Sequence, residues 1–262
     1  MGESASVAVV PRYRQGAAPP VGRITHECAL FLNFDGTLTN LESRPDRVVV
    51  DGGLLYLLDE LYVATAGAVA VVSGRSIEDL DARLAPLCLP LAGIHGAQCR
   101  GSDGRIERCV LPATLTWQIR MKLRLNLRRY RGVFLEDKGC AFAVHYRDAV
   151  SLPLARLRAD LTALAAASGA VFEVIEGADC IELRPRACDK GAAVERFMTQ
   201  APFAGRMPVF IGNDPTDRSG FEAVARVNGL GIAVGSRVTA PWWLPDPAAV
   251  RSWLRSCLGL VN

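Results

Sequence analysis

Short stretches that are apolar from end to end, each stopped by a polar cluster containing glycine, recur along this chain. Residues 28–34 (CALFLNF) run into Asp35-Gly36, 68–72 (AVAVV) into Ser73-Gly74, and 208–211 into Gly212-Asn213-Asp214. A strand without a polar side must be buried on both faces, as in a parallel sheet covered by helices above and below. The segments between supply those helices. Leu54, Leu55, Leu58 and Leu61 stand at helical spacing within 54–62, and similar patterns predict helices over 77–84, 191–198, 220–227 and 248–258. Two further short strands are expected at 91–94 and 232–234. The fold class is therefore α/β with a parallel, Rossmann-like sheet.

Between 106 and 185 the pattern changes. Residues 106–111 alternate as a strand, and 114–131 read as a long basic helix. Residues 133–138 and 141–147 form a hairpin about Gly139-Cys140, 152–167 a helix, and 172–175 with 180–184 a second hairpin. Such a block indicates an antiparallel sheet with helices on one face. The expected organisation is a flexible tail at 1–26, an α/β core formed by 27–105 and 186–262, and an inserted α+β domain at 106–185.

Composition narrows the function classes. At 262 residues, half of them hydrophobic, the chain is large enough for a substantial core. A net charge of +3 makes no case for a nucleic-acid or membrane surface. The basic residues Arg120, Lys122, Arg124, Arg128, Arg129 and Arg131 have no aromatic stacking platform and read as a solvated helix face. No apolar run approaches the roughly 20 residues of a membrane span, and the first residues lack the pattern of a signal peptide. The eight cysteines form no Cys-x-x-Cys pair, which suits reduced thiols in a cytoplasmic protein, with a monomer favoured.

Ligands of open parallel sheets bind beyond the carboxyl ends of the strands. Four polar clusters fall at that edge: Asn33 to Thr37, Ser73-Gly74-Arg75, Lys190-Gly191 opening a helix, and Gly212 to Asp217. Singly, each is an ordinary turn or helix start. Together they supply oxygen donors suited to a hard divalent ion. They also supply a hydroxyl, an ammonium and glycine-rich backbone suited to phosphate, and carboxylates able to act on a phosphoryl group.

The set resembles the haloacid dehalogenase (HAD) phosphatases, whose first motif is Asp-x-Asp-Gly-Thr. The segments FDGTLTNL, VVSGRS, AGIHGA, EDKGCAFAVHYR, IELRPRACDKGAA, IGNDPTD and IAVG extend the resemblance to the trehalose-6-phosphate phosphatases, over about residues 30–235. It implies a HAD core with a C2-type cap and Mg2+-dependent hydrolysis of trehalose 6-phosphate through an aspartyl-phosphate. By motif position it implies catalysis by residue 33, Asp35, Ser73 and Lys190. The metal would fall to residue 33, the Asp35 carbonyl, Asn213 and Asp214. The sugar phosphate, a small-molecule partner, would meet Arg75, Glu136, Lys138 and Glu182. Asp217 would orient Lys190 or cap a helix. His95, His145 and Arg147 read equally well as structural.

The sequence departs from the family where it matters most. Asn33 stands at the nucleophile position and Asn213 at a metal-ligand position. An amide oxygen ligates a cation without charge and is a poor nucleophile. Three readings of Asn33 are open: an Asp-to-Asn change that traps substrate, a natural binder of the sugar phosphate that reports its level, or another group acting in its place. The intact remainder of the site favours the first.

Overall fold

Strand β1 (Cys28–Leu32) is buried on both faces, with Leu30 and Leu32 entering one apolar layer and Ala29 and Phe31 the other. The computed structural model describes residues 17–20, 22–42, 45–147, 149, 151–177 and 180–260. From β1 the chain runs through α1 (Gly52–Ala64), β2 (Val69–Val72), α2 (Ile77–Leu84) and β3 (Leu91–Gly93). It then turns back through β4 (Gln98–Arg100) and β5 (Ile106–Arg108). A second unit follows: α3 (Ala113–Leu127), β6 (Phe134–Asp137), β7 (Phe142–His145), α4 (Leu154–Ala166), β8 (Phe172–Gly177) and β9 (Cys180–Pro185). The chain returns through α5 (Lys190–Met198), β10 (Met207–Gly212), α6 (Arg218–Arg226), β11 (Leu230–Val234), β12 (Trp242–Leu244) and α7 (Pro247–Leu258).

The large sheet has the order β12-β11-β10-β1-β2-β3-β4-β5 and is parallel as far as β3. Leucines of α1, Ile77 and Leu80 of α2, and Val250 and Trp253 of α7 fill one layer. Phe197 of α5 and Phe221 and Val224 of α6 fill the other. Helix starts are chemically marked. Asp51, Ser76, Asp189 and Asp246 each accept from the backbone N–H three residues on, at the heads of α1, α2, α5 and α7. Such caps are each worth about 1 kcal/mol.

The small antiparallel sheet, β6-β7-β9-β8, packs one face on α3 and α4. Its register separates two kinds of side chain. Leu135, Val144 and Ile181 form an apolar row toward the helices, while Glu136, Ala143 and Glu182 form the adjacent row on the opposite face. A one-residue slip would exchange the rows, so burial of the apolar face sets where the acidic residues point.

Three expectations need correction. Ile106–Arg108, assigned to the insert, pairs antiparallel with β4 and extends the large sheet. A tight turn over Gly101–Gly104 folds it back, with Gly104 at φ +76° and the Asp103 side chain accepting from Arg105 N–H. The strand's alternation was legible, but its partner was not. The tail at 1–26 also does not hold throughout: Ile24 is buried and donates to Cys257 O, and Ala17 O accepts from Trp243 N–H. Residues 1–16 lie outside the described ones. The basic helix ends at Leu127 instead of Arg131. No helix among the described residues is long and apolar enough to cross a membrane.

Candidate active site

Strand order places the chemistry. β1 lies between β10 and β2, where successive connections leave in opposite directions, so a crevice opens at their carboxyl ends. Asn33 N–H still bonds Ile211 O at 2.9 Å, then the chain leaves the sheet. Asn33 thus emerges beside Asn213, which follows β10, and near Ser73, which follows β2. The chain turns at Gly36, whose φ is +76°. A Cβ there would stand 2.1 Å from Asn213 Nδ2, so only glycine lets the two loops meet.

Lys190 arrives from the other side as the first residue of α5. Gly191 sits so close to α6 that a Cβ would lie 2.5 Å from Ser219 O. That approach carries Lys190 Nζ to 2.6 Å from Asp217 Oδ1 and 3.0 Å from Asn33 Oδ1, with Lys190 and Asp217 both buried. Asp217 Oδ2 accepts from the N–H groups of Asn213 and Asp214, each at 2.8 Å. Asp217 therefore both orients Lys190 and shapes the β10 loop.

Asn33 is held from both ends. Its Nδ2 donates to Asn213 Oδ1 at 2.6 Å and Asp35 O at 2.9 Å, with Thr37 Oγ1 at 3.3 Å. Thr37 Oγ1 in turn donates to Asn213 Oδ1 at 3.1 Å. The Asp35 carboxylate is gripped by the Arg75 fork, Nε to Oδ2 and Nη2 to Oδ1 both at 2.7 Å, while Arg75 Nη1 reaches Asp79 at 2.6 Å. Ser73 Oγ accepts from Arg75 N–H. Asp214 caps the turn at Pro215–Asp217 and lies 3.4 Å from Arg237.

The small sheet closes the crevice from above. Lys138 Nζ bonds Glu182 Oε1 at 3.0 Å and Gly74 O at 3.1 Å, and His95 Nε2 bonds Glu182 Oε2 at 3.0 Å. Glu182 on the small sheet is thereby tied to His95 of the large unit, and Lys138, also of the small unit, to Gly74 of the large one. Glu136 pairs with His145 at 2.9 Å. The resulting cleft of about 740 Å³ is lined by Asn33, Asp35, Ser73, Arg75, Glu136, Lys138, Glu182, Lys190, Asn213 and Asp214, all expected from sequence, while Asp217 lies buried behind Lys190. Its size is that of a small-molecule site.

Sequence reasoning missed Arg237, which faces Asp214, and gave no separate role to Thr37, which closes the amide cluster. His95, open there between a structural and a pocket role, bridges the two units. Ile94, at φ 49°, and His95, at φ 54°, both adopt the left-handed region, a strained conformation for side chains with a Cβ. Only the motif AGIHGA hinted at His95, and its tie to Glu182 spans 87 positions.

Electrostatics lock this bridge. Burial alone would raise the Glu182 pKa, but Lys138 and His95 beside it hold it well below the usual carboxylate range. Burial pushes His95 below its ordinary 6.5, against the pull of Glu182. Both groups bind fewer protons folded than unfolded, His95 below pH 6.5 and Glu182 below pH 4.5. Unfolding then takes up protons, so stability falls on acidification. Thermal melts from pH 7 to 5 should show a falling Tm, with a shallower fall for His95→Asn, which suits the left-handed backbone. Equal slopes would remove His95 as the source.

Comparison with known proteins agrees with this geometry. The trehalose-phosphatase family model matches residues 31–241. Trehalose-6-phosphate phosphatase of Escherichia coli (strain K12) is 40% identical over 230 residues, covering 86% of this chain and 85% of that protein. A probable trehalose-phosphate phosphatase of Sinorhizobium fredii is 38% identical over 237 residues, covering 89% and 88%. The crystal structure of a trehalose-6-phosphate phosphatase related protein superposes with a TM-score of 0.70 at 26% identity, covering 88% of this chain and 98% of that one. With its α/β core, its cap and a family match running from β1 to the segment before β12, the chain belongs to the trehalose-phosphatase family.

Proposed function

We propose that this cleft takes trehalose 6-phosphate and, with a carboxylate at position 33, is built to hydrolyse it to trehalose and inorganic phosphate. Asn33 leaves the chain holding the substrate with turnover lowered by orders of magnitude. The observation carrying this reading is one cleft that joins a phosphate-suited end, Lys190 and Ser73, to a hydroxyl-suited face, Glu136, Lys138 and Glu182. Support from relatives is the trehalose-6-phosphate phosphatase of E. coli at 40% identity.

The chemistry follows from the positions. In an Asn33→Asp form, a carboxylate oxygen attacks phosphorus and the P–O bond to the sugar breaks. Asp35 gives the departing oxygen its proton. Asp35 then takes a proton from water, which attacks the aspartyl-phosphate, releasing phosphate and restoring the carboxylate. Lys190 and the Ser73 hydroxyl meet the phosphoryl oxygens where charge develops. Arg75, expected at the phosphate, instead donates to both oxygens of Asp35 and to Asp79, so Asp35 must leave the guanidinium before it can pass a proton to the departing oxygen. Lys138 donates to sugar hydroxyls, and Glu136 and Glu182 accept from them.

Mg2+, implied by the resemblance, supplies neutralisation of phosphoryl oxygens when bound. The donors present do not fit it. An ion of this kind needs converging oxygens, yet Asn33 directs an amide NH2 at the point where the Asp35 carbonyl, Thr37 Oγ1 and Asn213 Oδ1 meet. Neither Asn33 nor Asn213 brings charge. Action in the cytoplasm suits a charged sugar ester that does not cross membranes unaided, and the cysteines are all free thiols.

The test is phosphate release from trehalose 6-phosphate in Mg2+ by the chain and by the Asn33→Asp,Asn213→Asp variant side by side. Silence from both sinks the phosphatase reading. In the double-variant background, adding Glu182→Ala should cost about 10²-fold in kcat/KM on trehalose 6-phosphate, the scale of a hydrogen bond to a charged group. It should cost far less on a small aryl phosphate, and equal losses would remove the sugar-binding role.

A further inference from the structure

We propose that the Asn33–Asn213 amide pair takes the place of a divalent cation, so that this cleft binds the sugar phosphate without metal. The inference deepens the trehalose 6-phosphate reading and rests on it. A backbone carbonyl, a hydroxyl and a side-chain carbonyl all face one point, which is the constellation a cation requires. The occupant of that point is Asn33 Nδ2, 2.6 Å from Asn213 Oδ1, 2.9 Å from Asp35 O and 3.3 Å from Thr37 Oγ1. The partial positive charge of the NH2 group meets the lone pairs that an ion would otherwise meet.

The amide has one workable orientation. Its oxygen accepts from Lys190 Nζ at 3.0 Å, and its nitrogen faces only acceptors. Turning it over would set oxygen against three oxygens and NH2 against an ammonium. Entry of a cation therefore requires breaking a satisfied, buried set of hydrogen bonds, with no carboxylate from position 33 or 213 to repay it.

Charge completes the case. Two amides in place of two carboxylates raise the local charge by two units, the same change that one divalent cation makes. The phosphate end then needs no ion to offset repulsion from those positions. Lys190 donates to Asn33 and Asp217, and an ammonium carries three donors, which leaves one for an anion in the cleft. The Ser73 hydroxyl, already accepting from Arg75 N–H, still has its own proton to donate.

The experiment is calorimetric titration of trehalose 6-phosphate into the full chain, once in EDTA and once in millimolar MgCl2, and, in both media, of its non-hydrolysable methylene phosphonate analogue into the chain and into Asn33→Asp,Asn213→Asp, which would turn the phosphate ester over. For the chain, the two Kd values should agree within about twofold, whereas the double variant should bind at least about tenfold more tightly in Mg2+. In thermal melts without ligand, MgCl2 should raise the Tm of the double variant and leave that of the chain unmoved. Binding by the chain only in Mg2+ overturns the inference and leaves the trehalose 6-phosphate reading standing. Metal-independent binding by the double variant as well also overturns it, because the amides are then not the cause. No binding by the chain in either medium defeats the substrate reading itself, and the inference with it.

Discussion

Phosphate release from trehalose 6-phosphate in Mg2+ is expected to rise by about 10⁴–10⁶-fold when Asn33→Asp and Asn213→Asp are introduced together, the scale on which covalent catalysts are lost and regained. The remaining parts are already in register. Asp35 lines the cleft beside position 33, Lys190 stands 3.0 Å from the position 33 side chain, and the small sheet lies over the cleft. On the proposed reading, Asn33→Asp supplies a nucleophilic oxygen with full negative charge and Asn213→Asp the second carboxylate that draws in a cation. Asn33→Asp alone should recover at least about 10²-fold less than the pair. Its new carboxylate would face the Asp35 carbonyl, Thr37 Oγ1 and Asn213 Oδ1 with only half the restored charge to hold an ion between them. Measured rates for the chain equal to those of the double variant would show that position 33 is not the nucleophile position.

Asp217→Ala should destabilise the chain by about 3–5 kcal/mol, the cost of breaking one side of a buried ion pair. In a chain of this size that is a fall in Tm of about 5–10 °C. The cause is specific. Asp217 is fully buried, one oxygen receives the Lys190 ammonium at 2.6 Å, and the other receives two backbone N–H groups. Its removal strands a charge and two donors where water does not reach. Asp217→Asn retains an acceptor and should lose less than half as much. Thermal unfolding monitored by circular dichroism reads both, and a near-neutral Asp217→Ala would refute the buried-pair account. Because Asp217 also shapes the Asn213 loop, binding of trehalose 6-phosphate should weaken in Asp217→Asn even where the fold survives.

The candidate site was legible from sequence to an unusual extent, for a local reason. Asn33 to Thr37, Ser73 to Arg75, Lys190-Gly191 and Gly212 to Asp217 each directly follow a strand or open a helix, so a strand's end reveals where its loop must project. Where a partner lies far away in the chain, the signal vanishes. The commitment of Arg75 to Asp35 crosses 40 positions, and the His95–Glu182 bridge crosses 87. Nothing in the run AGIHGA shows that its histidine meets a glutamate of the other unit. The pairing of β5 with β4 escaped for a related reason. Alternation marks a strand, while the sheet it joins is set by a turn and by competition among edges.

Residue identity by itself determined the class of fold, since strands without a polar face can only be buried on both sides. It likewise determined that an amide, and no carboxylate, follows β1 at position 33. Tertiary structure alone decided what that amide does. Long-range packing of α5 on α6 brings Lys190 to its oxygen, and the adjacency of β1 and β10 brings Asn213 to its nitrogen. A hydrogen bond depends on the positions of both partners. Here those positions come from helix and sheet contacts about 160 to 180 residues apart in the chain.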